Sequence, residues 1–450
     1  MRILLLGLIS LAGSACVAAP DTRPINQPML RASAQPGSDL GVDGEAIALA
    51  FSGGGARAAS FSLGVLLQLH DMKGADGAPL SERIAYITGV SGGAITAAYY
   101  GRYGAEGLGG FRATALDKDW QGELHTSWVS PENWQRLLQG GLNGPDKLAD
   151  WLDREVFMGA RMQDMRSQPM VVINATDLYS GAPFAFAPAW FEAICSDLAG
   201  VRLADAVAAS MAVPIAFRPI VVKTYPEACP AGLAPWVSAA LRDRRAPLLL
   251  RETARSLASL RDPAKMTHAH LADGGVADNF GVSSFVTLSR SGAGPYAPFS
   301  AQDGVKLSRL TFIIVNAERP AEGTWALKAA GPDGPELIST ALGLAVNAPK
   351  RAAADAFRGF LEQWRKDLIT WRCGLDRGEA ERLGAGAGWT CEGVDIVLDI
   401  ISFEDLGAAR AARLGSAQTA VSLPSDLIDD LISGGRAATA WNETLLGLAR

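Results

Sequence analysis

Histidine is scarce in this chain, 4 in 450 residues, and none follows position 270. A histidine-rich metal centre has few ligands to draw on. The chain order serine, aspartate, histidine, usual for a hydrolase triad, has little space to close. Cys-x-x-Cys does not occur, so zinc ribbons and thioredoxin-type redox sites are unsupported. A basic excess is missing as well: 41 lysines and arginines stand against 47 acidic residues, a net charge of −6. That balance argues against a nucleic-acid binder relying on a basic face. No repeat of solenoid type is present. What is there is 48% hydrophobic and 20% charged, enough for a large buried core and unlike a disordered tail. The length fits two or three domain-sized units or one elaborated α/β enzyme. The 49 glycines show no collagen-like period and gather at turns.

The N-terminus reads as an address. Met1-Arg2 precedes a short apolar run, Ile3 to Leu11, and then small residues; this is the pattern of a signal peptide over 1–15, too short for a permanent membrane span. It ends Ala12-Gly13-Ser14-Ala15-Cys16, which resembles a bacterial lipobox, with Cys16 as the lipidated first residue of the mature chain and Gly13 where an aliphatic residue is usual. The alternative is ordinary signal cleavage with Cys16 nearby by chance. Residues 16–44, rich in Pro, Gln, Ser and Asp, read as a flexible tether. The expected location is the cell envelope after export. Four further cysteines, Cys195, Cys229, Cys373 and Cys391, are an even number in an exported chain. Proximity favours Cys195–Cys229 and Cys373–Cys391 among three connectivities; buried free thiols are the alternative.

Two glycine-rich turns carry the chemistry. Ala46 to Phe51 has strand length and runs into Ser52-Gly53-Gly54-Gly55-Ala56-Arg57, then an apolar helical segment, Phe61 to Leu69. A strand, glycine loop and helix N-terminus present backbone N–H groups to negative charge. Neither Gly-Lys-Ser/Thr nor Gly-x-Gly-x-x-Gly follows, so a nucleotide phosphate is poorly supported; the same geometry serves as an oxyanion hole. Next, the strand Ile84 to Thr88 leads into Gly89-Val90-Ser91-Gly92-Gly93 and a helical run through Tyr100. This is Gly-x-Ser-x-Gly in the strand–turn–helix context of a nucleophile elbow, with small residues at Gly89 and Gly93 letting strand and helix approach. Ser91 is the candidate nucleophile, and it needs a base. Asp273, in Leu271-Ala272-Asp273-Gly274-Gly275, is followed by two glycines that permit close approach. A desolvated aspartate is basic enough to take a hydroxyl proton directly.

With these residues in order, the chain resembles the patatin-like phospholipase family. The resemblance rests on the glycine loop with its basic residue (Gly53, Gly54, Gly55, Arg57), the elbow around Ser91, and Asp273-Gly274-Gly275. Gly144-Pro145-Asp146-Lys147-Leu148, Asn174-Ala175-Thr176-Asp177-Leu178, and Ala209-Ser210-Met211-Ala212-Val213-Pro214 before Phe217-Arg218-Pro219 are similar too. It covers roughly 45–320 and departs at Ala58, where the family usually has another glycine. It implies hydrolysis of lipid or phospholipid acyl esters by a Ser91–Asp273 dyad through an acyl-serine, with no metal or other cofactor. N–H groups around Gly54 and Gly55 would hold the oxyanion, and Arg57 would shape the loop or add positive charge.

Rival readings use the same segments. His268-Ala269-His270 with Asp273 is a conceivable metal cluster, or simply a pair of strand residues on one face. His270 is also the candidate base of a conventional Ser–His–Asp esterase, with His125 and His268 as further candidates. A catalytically inactive lipid-binding envelope lipoprotein is the reading from another class. Asp177, Asp278 and Asn279 read as loop-bracing residues.

Strands with intervening helices imply a three-layer α/β/α sandwich around a mainly parallel sheet, the site at the carboxyl ends of adjacent strands. The catalytic domain is expected at 45–320. Its insert, 223–266, carries Trp236, Leu248-Leu249-Leu250 and Arg242, Arg244, Arg245, Arg251, Arg255 and Arg261, a combination that suits either a membrane surface or a solvated helix. Residues 321–450 read as a largely helical extension packed on the catalytic layer: an amphipathic helix from Lys350 to Trp371, a strand from Val394 to Phe403, and helices at 425–431 and 437–448.

Overall fold

The computed structural model describes residues 22–29, 44–124, 130–138, 140–230, 232–318, 329, 331–334, 337 and 350–449. The expected signal peptide, Cys16 and His125 lie outside the described residues. In chain order the strands are β1 (Gln27–Pro28), β2 (Glu45–Phe51), β3 (Ile84–Val90), β4 (Met170–Asp177), β5 (Pro183–Phe186), β6 (Ser196–Asp197), β7 (Ile220–Lys223), β8 (His268–Asp273), β9 (Arg309–Asn316) and β10 (Asp395–Ser402). The helices needed below are α1 (Gly55–Asp71), α2 (Gly92–Phe111), α3 (Leu203–Ser210), α4 (Pro235–Arg242), α5 (Leu248–Leu260), α6 (Val282–Ser291), α7 (Lys350–Gly374) and α8 (Ser425–Trp441).

An 8-stranded sheet runs β10-β9-β2-β3-β4-β8-β7, with β5 alongside β4. From β10 to β4 every pairing is parallel; β8 is antiparallel to both β4 and β7. The parallel strands are near-continuous apolar runs, because helices cover both faces. Strand order advances one way from β2 through β3 to β4 and the other way from β9 to β10. Right-handed crossovers therefore put α1 and α2 on one face and α7 on the opposite one. On the α7 side Phe285 of α6 meets Tyr86, Phe312 and Trp364 at centroid distances of 5.2, 5.3 and 5.7 Å. On the α1 side, α8 lies against α1 so tightly that a Cβ on Gly435 would stand 2.2 Å from the Phe61 carbonyl oxygen.

The fold is the expected three-layer sandwich with a mainly parallel sheet and a helical C-terminal region. The C-terminal region does more than pack: β10 extends the sheet, in register with β9 from Asp395 opposite Arg309 to Ser402 opposite Asn316. The amphipathic helix is α7, which buries Phe357, Leu361, Trp364 and Leu368. Cys195 is bonded to Cys229 and Cys373 to Cys391, with Cα–Cα distances of 5.3 and 4.8 Å.

Part of the segment expected to be a flexible tether is instead stitched to the domain. β1 pairs antiparallel with β6. Asn26 explains why: its amide donates to Ser196 Oγ at 2.6 Å and to the Lys223 carbonyl at 2.7 Å, while its Oδ1 accepts the Lys223 N–H at 2.8 Å. A buried amide satisfied on both ends fixes the backbone that carries it.

Candidate active site

Ser91 follows β3 and is the N-cap of α2, with φ 51 and ψ −120. A serine at positive φ is strained and persists only where its surroundings hold it. Here its N–H donates to Ser210 Oγ at 2.8 Å, and the Ser210 hydroxyl donates to the Asn174 carbonyl at 2.5 Å, so the end of α3 and β4 together clamp the turn. The turn also demands small neighbours. A Cβ on Gly89 would lie 2.7 Å from Ala94 Cα, and one on Gly93 2.5 Å from the Phe51 carbonyl oxygen.

The loop after β2 faces this turn. Gly53 donates its N–H to the Asn279 carbonyl at 3.2 Å, and Ala56 donates to the Ala420 carbonyl at 2.8 Å. Between them, the N–H groups of Gly54 and Gly55 have no protein acceptor among the described residues. Gly54 (φ 149) and Gly55 (φ 61) adopt backbone conformations that residues with a side chain rarely take. Two donors left free beside a nucleophile, at a helix N-terminus, form a seat for developing negative charge. Ala58, the departure from the family pattern, is fully buried beneath this loop. Arg57 is buried too: Nε donates to the Ala317 carbonyl at 2.9 Å, Nη1 to the Ala417 carbonyl, and Nη2 to Thr419 Oγ1 at 3.2 Å. Of its two expected roles, those contacts serve loop shape.

Asp273 comes from β8. Register brings it close: Val90, just before Ser91, lies opposite Asn174 on β4, and Ala175 lies opposite Asp273. The Asp273 N–H donates to the Ala212 carbonyl at 2.9 Å, its carbonyl accepts from Thr176 Oγ1 at 2.9 Å, and Oδ1 accepts the Gly275 N–H at 2.8 Å. Burial pushes its carboxyl up to about 6, against the opposing pull of the Gly275 N–H and of a hydrogen bond from the Ser91 side chain. The aspartate is thus held rigidly, faces Ser91, and is more basic than an exposed one.

The three described histidines, His70, His268 and His270, stand elsewhere. Alternation along β8 puts Asp273, Leu271 and Ala269 on one side and His268 and His270 on the other; His270 is exposed and His268 meets Thr267 Oγ1 at 2.9 Å. His70 Nδ1 lies 3.1 Å from Ser81 Oγ. No group of three metal-ligating side chains is assembled among the described residues. Asp177 accepts from Ser180 and Ser256, and Asp278 accepts the N–H groups of Phe280, Gly281 and Ser283 at the start of α6. The clamp through Ser210 and the contacts from 417–420 escape sequence reasoning. Ser210 sits in a recognisable motif with nothing to mark its partner, and 417–420 contributes mainly backbone carbonyls.

The patatin-like phospholipase family matches residues 49–286, just over half of the chain. The chain belongs to that family. No curated protein sequence matches it. Among solved structures, human GIVD cytosolic phospholipase A2 aligns over 90% of this chain and 60% of its own length, at 13% identity and a TM-score of 0.40. The chain spans 60% of that structure's length. The patatin-like match ends within α6, so β9, β10, α7, α8 and the 417–420 contacts to the glycine loop all lie beyond it.

Proposed function

We propose that this protein is a serine lipid acyl hydrolase, of phospholipase A or lysophospholipase type, using Ser91 and Asp273. Asp273, as carboxylate, takes the Ser91 Oγ proton while Oγ bonds to the ester carbonyl carbon. The carbonyl oxygen gains negative charge and accepts the Gly54 and Gly55 N–H groups, each such donor typically contributing about 10²–10³ in rate. The C–O bond to the alcohol then breaks, and Asp273 returns the proton to the leaving oxygen. Water adds to the acyl-Ser91 carbon, giving a proton to Asp273, and collapse releases the fatty acid and restores the Ser91 hydroxyl.

The observation that carries this reading is the convergence on a strained Ser91 of a buried, basic Asp273 and two unoccupied N–H donors. The test uses a fluorophosphonate probe, p-nitrophenyl esters and a panel of phospholipids. Wild type should be labelled and should release fatty acid; Ser91→Ala and Asp273→Asn should each lose nearly all turnover, and the two losses should not add, because the residues act as a unit. Near-normal hydrolysis by Asp273→Asn would overturn the dyad, and the double variant His268→Ala/His270→Ala should keep its activity.

The proposal includes location. The support is the sequence of residues 1–16: export, then attachment to the bacterial envelope through acyl chains on Cys16, each buried CH₂ contributing about 0.8 kcal/mol. Cys16→Ser should leave soluble-ester hydrolysis intact and release the protein from the membrane fraction when the membranes are washed in high salt, which wild type should withstand. Wild type found wholly in the soluble fraction would defeat it.

A further inference from the structure

The insert between β7 and β8 folds as a helical hairpin of α4 and α5. Around its turn stand Arg242, Arg244, Arg245, Arg251 and Arg255, four of them exposed and Arg251 half-buried. None of the five side chains has an ion-pair or hydrogen-bond partner among the described residues. The sixth arginine of the insert differs: Arg261 donates to the carbonyls of Pro230 and Gly232 and is used in holding the loop. Within 242–255 the only acidic residues are Asp243 and Glu252. A concentrated basic surface thus stands on a chain whose net charge is −6. Beside it, Leu248 at the first turn of α5 is 63% exposed.

The hairpin is also placed at the end of the sheet where Ser91 lies. Ser256, in α5, donates to Asp177 Oδ2 at 3.0 Å. Asp177 closes β4 opposite Leu271, two positions before Asp273. The adjoining Leu178 and Tyr179 are exposed as well. Unpaired arginines interspersed with exposed apolar side chains match a negatively charged headgroup layer, which neutralises the former and takes up the latter.

We propose that the hairpin tip, residues 242–255, is a docking surface for an anionic bilayer and holds the Ser91 end of the sheet against it. The proposal deepens the lipid-hydrolase reading by naming the surface on which the substrate is met, but the docking itself needs no turnover. Each arginine near an anionic surface strengthens attachment about fivefold.

The experiment is flotation with vesicles of phosphatidylcholine alone or mixed with phosphatidylglycerol. It uses the full chain carrying Ser91→Ala and Cys16→Ser, so that neither turnover nor acyl chains on residue 16 contribute. Binding should require phosphatidylglycerol and weaken as salt is raised. The triple variant Arg242→Gln/Arg244→Gln/Arg245→Gln should lower it roughly a hundredfold, and Leu248→Ser should lower it further. On an intact Ser91 background the triple variant should keep its soluble-ester turnover, which also shows that it folds. Equal binding to both vesicle types, no binding to either, or binding unchanged in the triple variant would each overturn the docking surface. Failure of wild type to cleave any ester would overturn the hydrolase reading and leave the docking result standing.

Discussion

Asp273 lies where burial raises its carboxyl to about 6, with the Gly275 N–H and the Ser91 side chain opposing the shift. A carboxylate must be ionised to accept the Ser91 proton. kcat/KM on a soluble ester should therefore fall about tenfold per pH unit below an apparent pKa near 6 and level off above it. The same shift acts on the fold with the opposite sign. A carboxyl whose folded pKa is raised binds its proton more tightly in the native state, so its contribution is fully present below the unfolded value near 4 and is lost as pH rises through about 6. A shift of about two units corresponds to about 3 kcal/mol. Asp273→Asn, neutral at every pH, should be inactive yet more stable than wild type at pH 7.5 by up to that amount. The gain should vanish below pH 4, as read by urea denaturation at both pH values. A variant no more stable at pH 7.5 would mean that the carboxylate is not held at such a cost.

At the scale of elements, the glycine loop is shaped from two distant places. β9 ends at Asn316 beside it, and the segment just before α8 supplies the Ala417 and Ala420 carbonyls to Arg57 and to the Ala56 N–H. Arg57 reaches several acceptors at once because its guanidinium is a planar fork; a lysine presents a point charge on a flexible stem. Arg57→Lys should lower kcat by about tenfold or more with KM little changed, since the loop meets the substrate oxygen chiefly in the transition state; steady-state kinetics on a soluble ester would measure it. An unchanged kcat would show that the fork is dispensable. The two βα units carrying Ser91 and the glycine loop were legible because apolar runs, glycines and helical periodicity coincide within a few residues. Asp273 was legible through its two glycines. The bracing from 417–420 was not, because backbone carbonyls carry no side-chain signature and the contact spans more than half the chain. The ordering of residues 22–29 was missed for a related reason: a short polar stretch around Asn26 looks like linker until its partners on β6 and β7 are in place.

For the whole molecule, the two disulfides divide the work of holding outlying segments. Cys195–Cys229 joins the chain beside β6 to the start of the insert, and Cys373–Cys391 joins the end of α7 to the approach to β10. Non-reducing peptide mapping of the full chain should find both pairs, and reduction should cost roughly 2–4 kcal/mol per bridge. Four alkylatable thiols would contradict the pairing. The N-terminal strand has a consequence of its own. Asn26 is pinned to Lys223, opposite His268 at the outer end of β8, and the insert begins there. From residue 16 to residue 22 the backbone reaches about 20 Å at full extension, at roughly 3.3 Å per residue. With acyl chains on Cys16, the domain would ride on a short mooring made fast beside the basic hairpin. It could swing little, and the end of the sheet that bears Ser91 would be kept turned toward the bilayer before any headgroup was touched.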